Sequence, residues 1–414
     1  MAKHARVRIG SLYVSNGADA GGNQIFDVAI SILVVTVAGF SATEVGLMNA
    51  LGSASFLLLA VPAGALVDRV GAARTLVLSL ATKVLLIAAA VRLAATERLS
   101  TPAILAIVTA LGVCHLVTEN AQVSTVPRLT SDPTRIASTV AKMAAADNIA
   151  GVLAPAIAAF LIVQVGGTWT LGVSLLLITL AALAALRVRR NARQQEADLA
   201  GSGNTPTAGL FEGFRVLVRN RLLLGTTVLI AAGNIGLAIG DSVEAILVLR
   251  VLDLGVLFYG ALGTIAACAG LLASVVAPRI VQTIPVKRIF VIGAIAQALV
   301  AALPLVALLN PQSAHVILAV FQATWAIVLT VTNIAGSAYA AQTVPPDVLG
   351  RAIGARRMLT MGSVPIAALG GGILADQAGI LIPLIVWPSL TLVAAVAFLA
   401  LSARTAETAT AQAS

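Results

Sequence analysis

Apolar residues in this chain come in long unbroken blocks, not in strand-like alternation or short amphipathic runs. Twelve stretches have the roughly 20 mostly apolar residues needed to cross a hydrocarbon core as a helix. They lie at about 12–38, 43–67, 75–94, 101–125, 136–164, 169–187, 222–249, 256–278, 288–309, 313–340, 352–376 and 380–402. The pattern predicts an all-α integral membrane protein with 12 transmembrane helices. The first block is too long for a cleavable signal peptide, and it carries Asp19 and Asp27.

The one long polar stretch, 188–221, falls between spans six and seven and cuts the chain into two sets of six. The expected organisation is an N-terminal six-helix bundle over 1–190, a cytoplasmic linker over 191–221, a C-terminal six-helix bundle over 222–404 and a disordered tail over 405–414. Within the linker, Asn191–Gly209 reads as flexible chain. Leu210–Leu222 alternates apolar and basic residues, which predicts an amphipathic helix along the inner membrane surface.

Composition supports the bilayer as the solvent. Of 414 residues, 59% are hydrophobic and 10% charged, against roughly 25% charged in a soluble domain. This excludes a soluble globular enzyme, a disordered chain and a disulfide scaffold. Cys114 and Cys268 both sit in apolar stretches and read as small core residues.

The net charge of +9 is open to two readings, a nucleic-acid surface or a topological bias. Placing the charges decides between them. With the N-terminus in the cytoplasm, 21 of the 26 Lys and Arg residues fall in cytoplasmic segments and only Arg92, Arg98 and Arg250 on the opposite side. Lys83 and Lys142 lie inside spans. Such a split is the positive-inside pattern. It predicts a multi-pass protein of the plasma (inner) membrane, monomeric, with both termini cytoplasmic. Membrane lipids are then partners and nucleic acid is not.

Spans two and three are joined by Gly64-Ala65-Leu66-Val67-Asp68-Arg69-Val70-Gly71-Ala72-Ala73-Arg74. This resembles the loop signature of the major facilitator superfamily, G-x-L-x-D-R-x-G-R-[KR], at Gly64, Leu66, Asp68, Arg69 and Gly71. Ala72 and Ala73 replace the usual basic pair, with Arg74 following. Gly64 should permit close helix contact. The resemblance implies that Asp68 faces the helix dipole of span eleven and latches the cytoplasmic side shut.

Leu247–Gly270, Glu212–Leu222, Val344–Ala352 and Gly370–Gly379 are similar to the branch of enterobactin exporters and macrolide efflux pumps. Two features of that branch are absent. Ala154-Pro155 and Ala158-Ala159 stand where its span-five motif has Gly-Pro and a glycine pair, and span four lacks a basic coupling residue. Weak duplication accompanies the resemblance. Thr125-Val126-Pro127 after span four parallels Thr343-Val344-Pro345 after span ten, and Pro155 parallels Pro365.

Each ionisable group at the bilayer centre costs about 2.5–3.5 kcal/mol to insert, so each is a candidate for function. In span one Asn16, Asp19, Asn23 and Asp27 fall within an arc of roughly 80° at 100° per residue. That stripe must look away from lipid, toward a wet cavity or an interhelical hydrogen-bonded seam. In span four His115, Glu119 and Gln122 share a face. A His–Glu pair at this spacing either carries a proton or steadies the bundle; two ligands without a third do not make a metal site.

Span five adds Lys142 and Asp147. Reflecting span five about the turn near 130–131 places Lys142 at the depth of Glu119, which predicts an ion pair between them. Span seven contributes Asn234, Asp241 and Glu244, and Trp325 in span ten is placed to stack on a ligand. Lys83 reads as snorkelling or locally paired. Trp169 and Trp387 read as bilayer anchors or packing.

The resemblance implies a secondary transporter with alternating access. It would export a small amphipathic organic compound (drug, siderophore or secondary metabolite), giving multidrug efflux by proton antiport. Asp19, Asp27, Glu119 and Asp147 are the candidate proton carriers. Acids outnumber bases among these groups, which fits a neutral or cationic substrate. A proton-coupled importer, a lipid-flipping transporter and a transport-incompetent membrane sensor stay open on the same scaffold. The chain has no H-E-x-x-H, G-x-S-x-G or P-loop motif, so no enzymatic activity, metal or other cofactor is expected.

Overall fold

The computed structural model describes residues 2–130, 132–196, 215, 217–344 and 346–411. These residues form helices and short connections, with no strand among them. Twelve helical spans are long and apolar enough to cross a membrane: Ile9–Thr36, Ala42–Leu59, Ala72–Ala95, Thr101–Leu129, Thr134–Val165, Gly167–Arg190, Arg221–Val251, Val256–Thr283, Val286–Leu309, Pro311–Ala340, Gly354–Ala378 and Leu381–Ala400. They coincide with the twelve expected blocks and make the chain a multi-pass membrane protein.

Two spans are broken. Span nine consists of Val286–Val300 and Leu303–Leu309, and span eleven of Pro346–Met361 and Val364–Ala378. Pro304 and Pro365 lie just beyond the breaks. A proline lacks the N–H that would bond four residues back, and its ring clashes with that carbonyl. Pro62, Pro155 and Pro388 are carried inside unbroken helices instead.

Both expected polar segments differ in part. The helix of span six runs on to Glu196, beyond the expected linker start at 191. The helix of span twelve continues to Ala411, through most of the expected disordered tail. Alanine-rich composition favours extending a helix that span twelve has already nucleated. The rest of the linker lies largely outside the described residues. Within its described end Leu217 is buried against Leu223, Ala340, Val344, Ala352 and Ala355.

The chain folds as two units. Unit 1 comprises Met1–Phe40, Leu51–Thr205 and Gly255–Thr264; unit 2 comprises Ser41–Ala50, Pro206–Leu254 and Ile265–Ser414. This differs from a simple six-plus-six cut, because the start of span two belongs to unit 2 and the start of span eight to unit 1. Small residues explain both exchanges. A Cβ added to Gly46 would press on the backbone of Ala368 and Gly372, and one added to Gly263 would lie 2.9 Å from Pro155 Cβ. Association of helices in lipid depends on such close backbone approach.

In unit 1, span one packs along spans five and six, and span three along spans four and six. Ser15 Oγ donates to Ala181 O at 3.0 Å and Ser174 Oγ to Gly22 O at 2.7 Å, pinning span one to span six. In unit 2, span seven packs along spans eleven and twelve.

The start of span two is capped twice. Ser41 and Glu44 form a reciprocal capping box, Ser41 N–H to Glu44 Oε2 at 2.9 Å and Glu44 N–H to Ser41 Oγ at 3.3 Å. Asp376, at the far end of span eleven, then accepts from Ala42 N at 3.0 Å and Thr43 N at 2.8 Å. Helix N-termini leave four N–H groups unbonded, and a carboxylate there also meets the positive end of the dipole. Asp376→Ala is therefore expected to destabilise the protein by about 0.5–2 kcal/mol, with Asp376→Asn losing less. Denaturation of the purified protein in mixed micelles checks this; an unshifted midpoint would show that the cap carries no weight.

Candidate functional site

Unit 1 holds a polar network inside its apolar bundle. Lys83, at the middle of span three, is fully buried, and its Nζ lies 2.8 Å from Asp19 Oδ1 of span one. The same ammonium donates to Asn23 Oδ1 at 3.3 Å. The Asn23 amide faces His115 Nδ1 of span four at 3.4 Å. One turn before Asp19, Asn16 Nδ2 donates to Gln122 Oε1 at 3.2 Å and to Asp147 Oδ1 of span five at 3.0 Å. The stripe on span one is thus the hub that joins spans three, four and five.

The network mixes closed and open groups. Asp19 and Lys83 balance each other's charge out of contact with solvent. Asn16 Oδ1 and Gln122 Nε2 are buried with no hydrogen-bond partner, one acceptor and one donor side by side. Asp27, His115, Glu119, Lys142 and Asp147 are exposed on the surface of unit 1. Neither Asp27 nor Glu119 has a side-chain hydrogen bond or ion pair among the described residues.

One expectation in unit 1 needs correction. Glu119 and Lys142 are not paired; Lys142 Nζ lies over the Tyr13 ring of span one, 5.9 Å from its centroid. Reflection about the turn fixes depth but not rotation about the helix axis, and rotation turns Lys142 toward span one. Asp147 accepts from Asn16 of span one. Of the two readings of Lys83, snorkelling or local pairing, the structure has the second: a countercharge within hydrogen-bonding distance holds it at full burial.

Unit 2 reassigns two residues. Asn234 Nδ2 donates to Thr360 O at 3.0 Å. Thr360 sits at the break in span eleven, where the carbonyl loses its place in the helical ladder, so Asn234 closes a backbone gap and does not line an open cavity. Trp325 is only 3% exposed. It packs edge-on against Trp387 at 5.1 Å between centroids and beside Phe321 at 6.1 Å, so it is core and offers no face to a ligand. Trp387 belongs to the same cluster, whereas Trp169 is exposed. Asp241 is exposed and unpaired, and the neighbouring Glu244 accepts a hydrogen bond from the Gln322 amide.

In the loop between spans two and three, Gly71 has φ +93° and begins the helix of span three. That left-handed conformation explains a glycine there. Arg69 and Arg74 are exposed. A Cβ built at Gly64 meets nothing within 4 Å, so the expected close helix contact is not made there. The side chain of Asp68, on which the latch expectation rests, lies outside the described residues.

Three functional candidates escaped the sequence reading: Lys83 as the partner of Asp19, Asp376 as a cap, and Arg356. Lys83 had a legible signal. Spans one and three run in the same direction, and Asp19 and Lys83 lie at matching depths about two turns from their starts. No comparable signal marks Asp376, whose partners lie more than 300 residues away, or Arg356, which lies across the preceding span.

Residues 12–249 match the Major Facilitator Superfamily. No curated protein sequence matches the chain significantly. Among solved structures, the nucleoside transporter NupG is similar with a TM-score of 0.69 at 17% identity, covering 95% of this chain and 98% of that one. A bacterial homolog of the human lysosomal transporter Spinster, inward-facing and unoccupied, has a TM-score of 0.70 at 14% identity, with 96% and 97% covered. A bacterial homologue of the iron transporter ferroportin, inward-facing, has 0.69 at 15%, with 95% and 98% covered. Likeness at these identities concerns the fold.

Proposed function

The chain belongs to the Major Facilitator Superfamily, and from that premise we propose that it is a secondary transporter exporting a small amphipathic organic compound by proton antiport. It works by alternating access in the plasma (inner) membrane, with both termini cytoplasmic. The observation that supports this reading is the unit 1 network: a buried Asp19–Lys83 pair flanked by Asp27, Glu119 and Asp147, none in an ion pair among the described residues. A charge-balanced pair gives a fixed scaffold. An unpaired carboxylate changes the local charge whenever it binds a proton, which is what coupling requires. Glu119 is the proposed carrier, because it is exposed, unpaired and one turn from His115.

Accumulation of fluorescent compounds in cells expressing the protein tests the reading, with and without a protonophore. Lower accumulation that the protonophore reverses is expected for at least one amphipathic compound. Unchanged accumulation across a broad panel would overturn it. Glu119→Gln is expected to abolish proton-driven efflux at unchanged protein level. Retained pH-driven efflux would move the proton to Asp27 or Asp147.

A further inference from the structure

Unit 2 contains a buried cation that no described residue neutralises. Arg356, on the first helix of span eleven, is 8% exposed. Its guanidinium lies across span ten at Gly336, where any Cβ would collide with it. Five N–H donors are available on a guanidinium. Among the described residues only Nη1 is used, on Ser337 Oγ at 3.5 Å, the far limit of a hydrogen bond. Nε is buried with no partner. No carboxylate among the described residues lies within ion-pair distance.

An arginine cannot relieve this situation by losing its proton. A buried charge left uncompensated costs several kcal/mol, so its retention calls for an anion that arrives. Arg356 is buried, but the Ser337 it reaches is exposed. Asn333, one turn earlier on span ten, shares that face. The Ser337 hydroxyl donates to Asn333 O at 2.9 Å, which leaves its lone pairs for the guanidinium.

The chain duplication makes the contrast sharper. Counting back from Thr125 and Thr343, Ser337 occupies the position of Glu119 and Asn333 that of His115. Where span four carries an acid and an imidazole, span ten carries a hydroxyl and an amide beside a bare cation.

We propose that Arg356, with Ser337 and Asn333, forms an oxyanion-binding subsite inside unit 2 that takes a carboxylate or phosphate group. Resting on the transporter reading, it assigns the transported compound an anionic group on its apolar body, unlike the neutral or cationic substrate expected from the acids alone. The planar fork suits two parallel bonds to one oxyanion.

Thermal unfolding of the full-length protein in detergent tests this, with sodium benzoate, sodium phosphate or phosphatidylglycerol against sodium chloride at equal ionic strength. Wild type is expected to be stabilised by at least one oxyanion, by mass action on the folded state. Benzoate or phosphate would mark a small-molecule anion as the source, and phosphatidylglycerol alone a lipid headgroup. Arg356→Gln should weaken that binding about ten-fold or more. Arg356→Lys should retain part of it and Arg357→Gln all of it. Without ligand, Arg356→Met should be at least as stable as wild type, because an apolar side chain replaces an uncompensated charge; a purely structural arginine would lose stability.

No stabilisation of wild type by any of the three, or equal stabilisation of Arg356→Gln, overturns the subsite. That result with intact efflux in cells leaves the transporter reading standing. Arg356-dependent binding with no compound transported does the reverse.

Discussion

Asp19→Asn is expected to destabilise the protein by about 3–5 kcal/mol, because it leaves Lys83 charged and sealed in the bundle. The double variant Asp19→Leu/Lys83→Met should recover most of that loss. Apolar replacements of similar volume remove both desolvation costs together, and such exchanges are often neutral or stabilising. Denaturant unfolding in mixed micelles gives the two numbers, and the single variants Asp19→Leu and Lys83→Met complete the cycle that yields the coupling between the side chains. If the double variant is no more stable than the single one, the pair is not the electrostatic unit described above.

The same variants separate stability from function. Recovered stability without recovered efflux would mean that the ion pair is kept for the transport cycle. The reason lies in its neighbours: Asn23 accepts from Lys83 and faces His115, so removing the ammonium frees Asn23 and alters the surroundings of the exposed imidazole.

Trp325→Ala should cost on the order of 3 kcal/mol, with a similar loss from Trp387→Ala. The two indoles and Phe321 form one cluster, and Trp387 and Phe321 meet edge to face at 5.3 Å. Gly236 and Gly240 of span seven leave room for the Trp387 ring, since a Cβ on either would collide with it. Removing one ring therefore leaves a cavity that helix backbones cannot close. Trp325→Phe should cost less than about 1.5 kcal/mol, because the indole N–H has no partner to lose. Thermal unfolding checks both. A Trp325→Ala protein of normal stability but weakened transport would restore the ligand-stacking role that the burial of Trp325 argues against.

Much of the fold was legible because hydropathy and charge sign are carried by contiguous residues. A helix crossing a membrane satisfies its own backbone, so twenty apolar residues in a row predict it without knowledge of any neighbour. The loop residues carried the family resemblance for a related reason, since Gly71 needs its left-handed backbone whatever packs nearby. The polar stripe on span one was legible too, through helical periodicity alone.

Partners were not legible. Lys142 and Glu119 match in depth, yet Lys142 lies over Tyr13 because the rotation of span five depends on what it packs against. Asn234 lies on the expected span, but the break at Met361–Val364 gives it a carbonyl to bond. Trp325 carries the same sequence signal whether it faces a ligand or a second indole.

The twelve spans and the polar stripe on span one were thus determined by the sequence itself. Only the tertiary structure decided that Lys83 neutralises Asp19, that Asp376 caps span two, that Trp325 is core and that Arg356 has no countercharge among the described residues. Spans follow from free energies summed along consecutive residues. Pairings depend on axial rotation and on side chains of other spans, which no local sum contains.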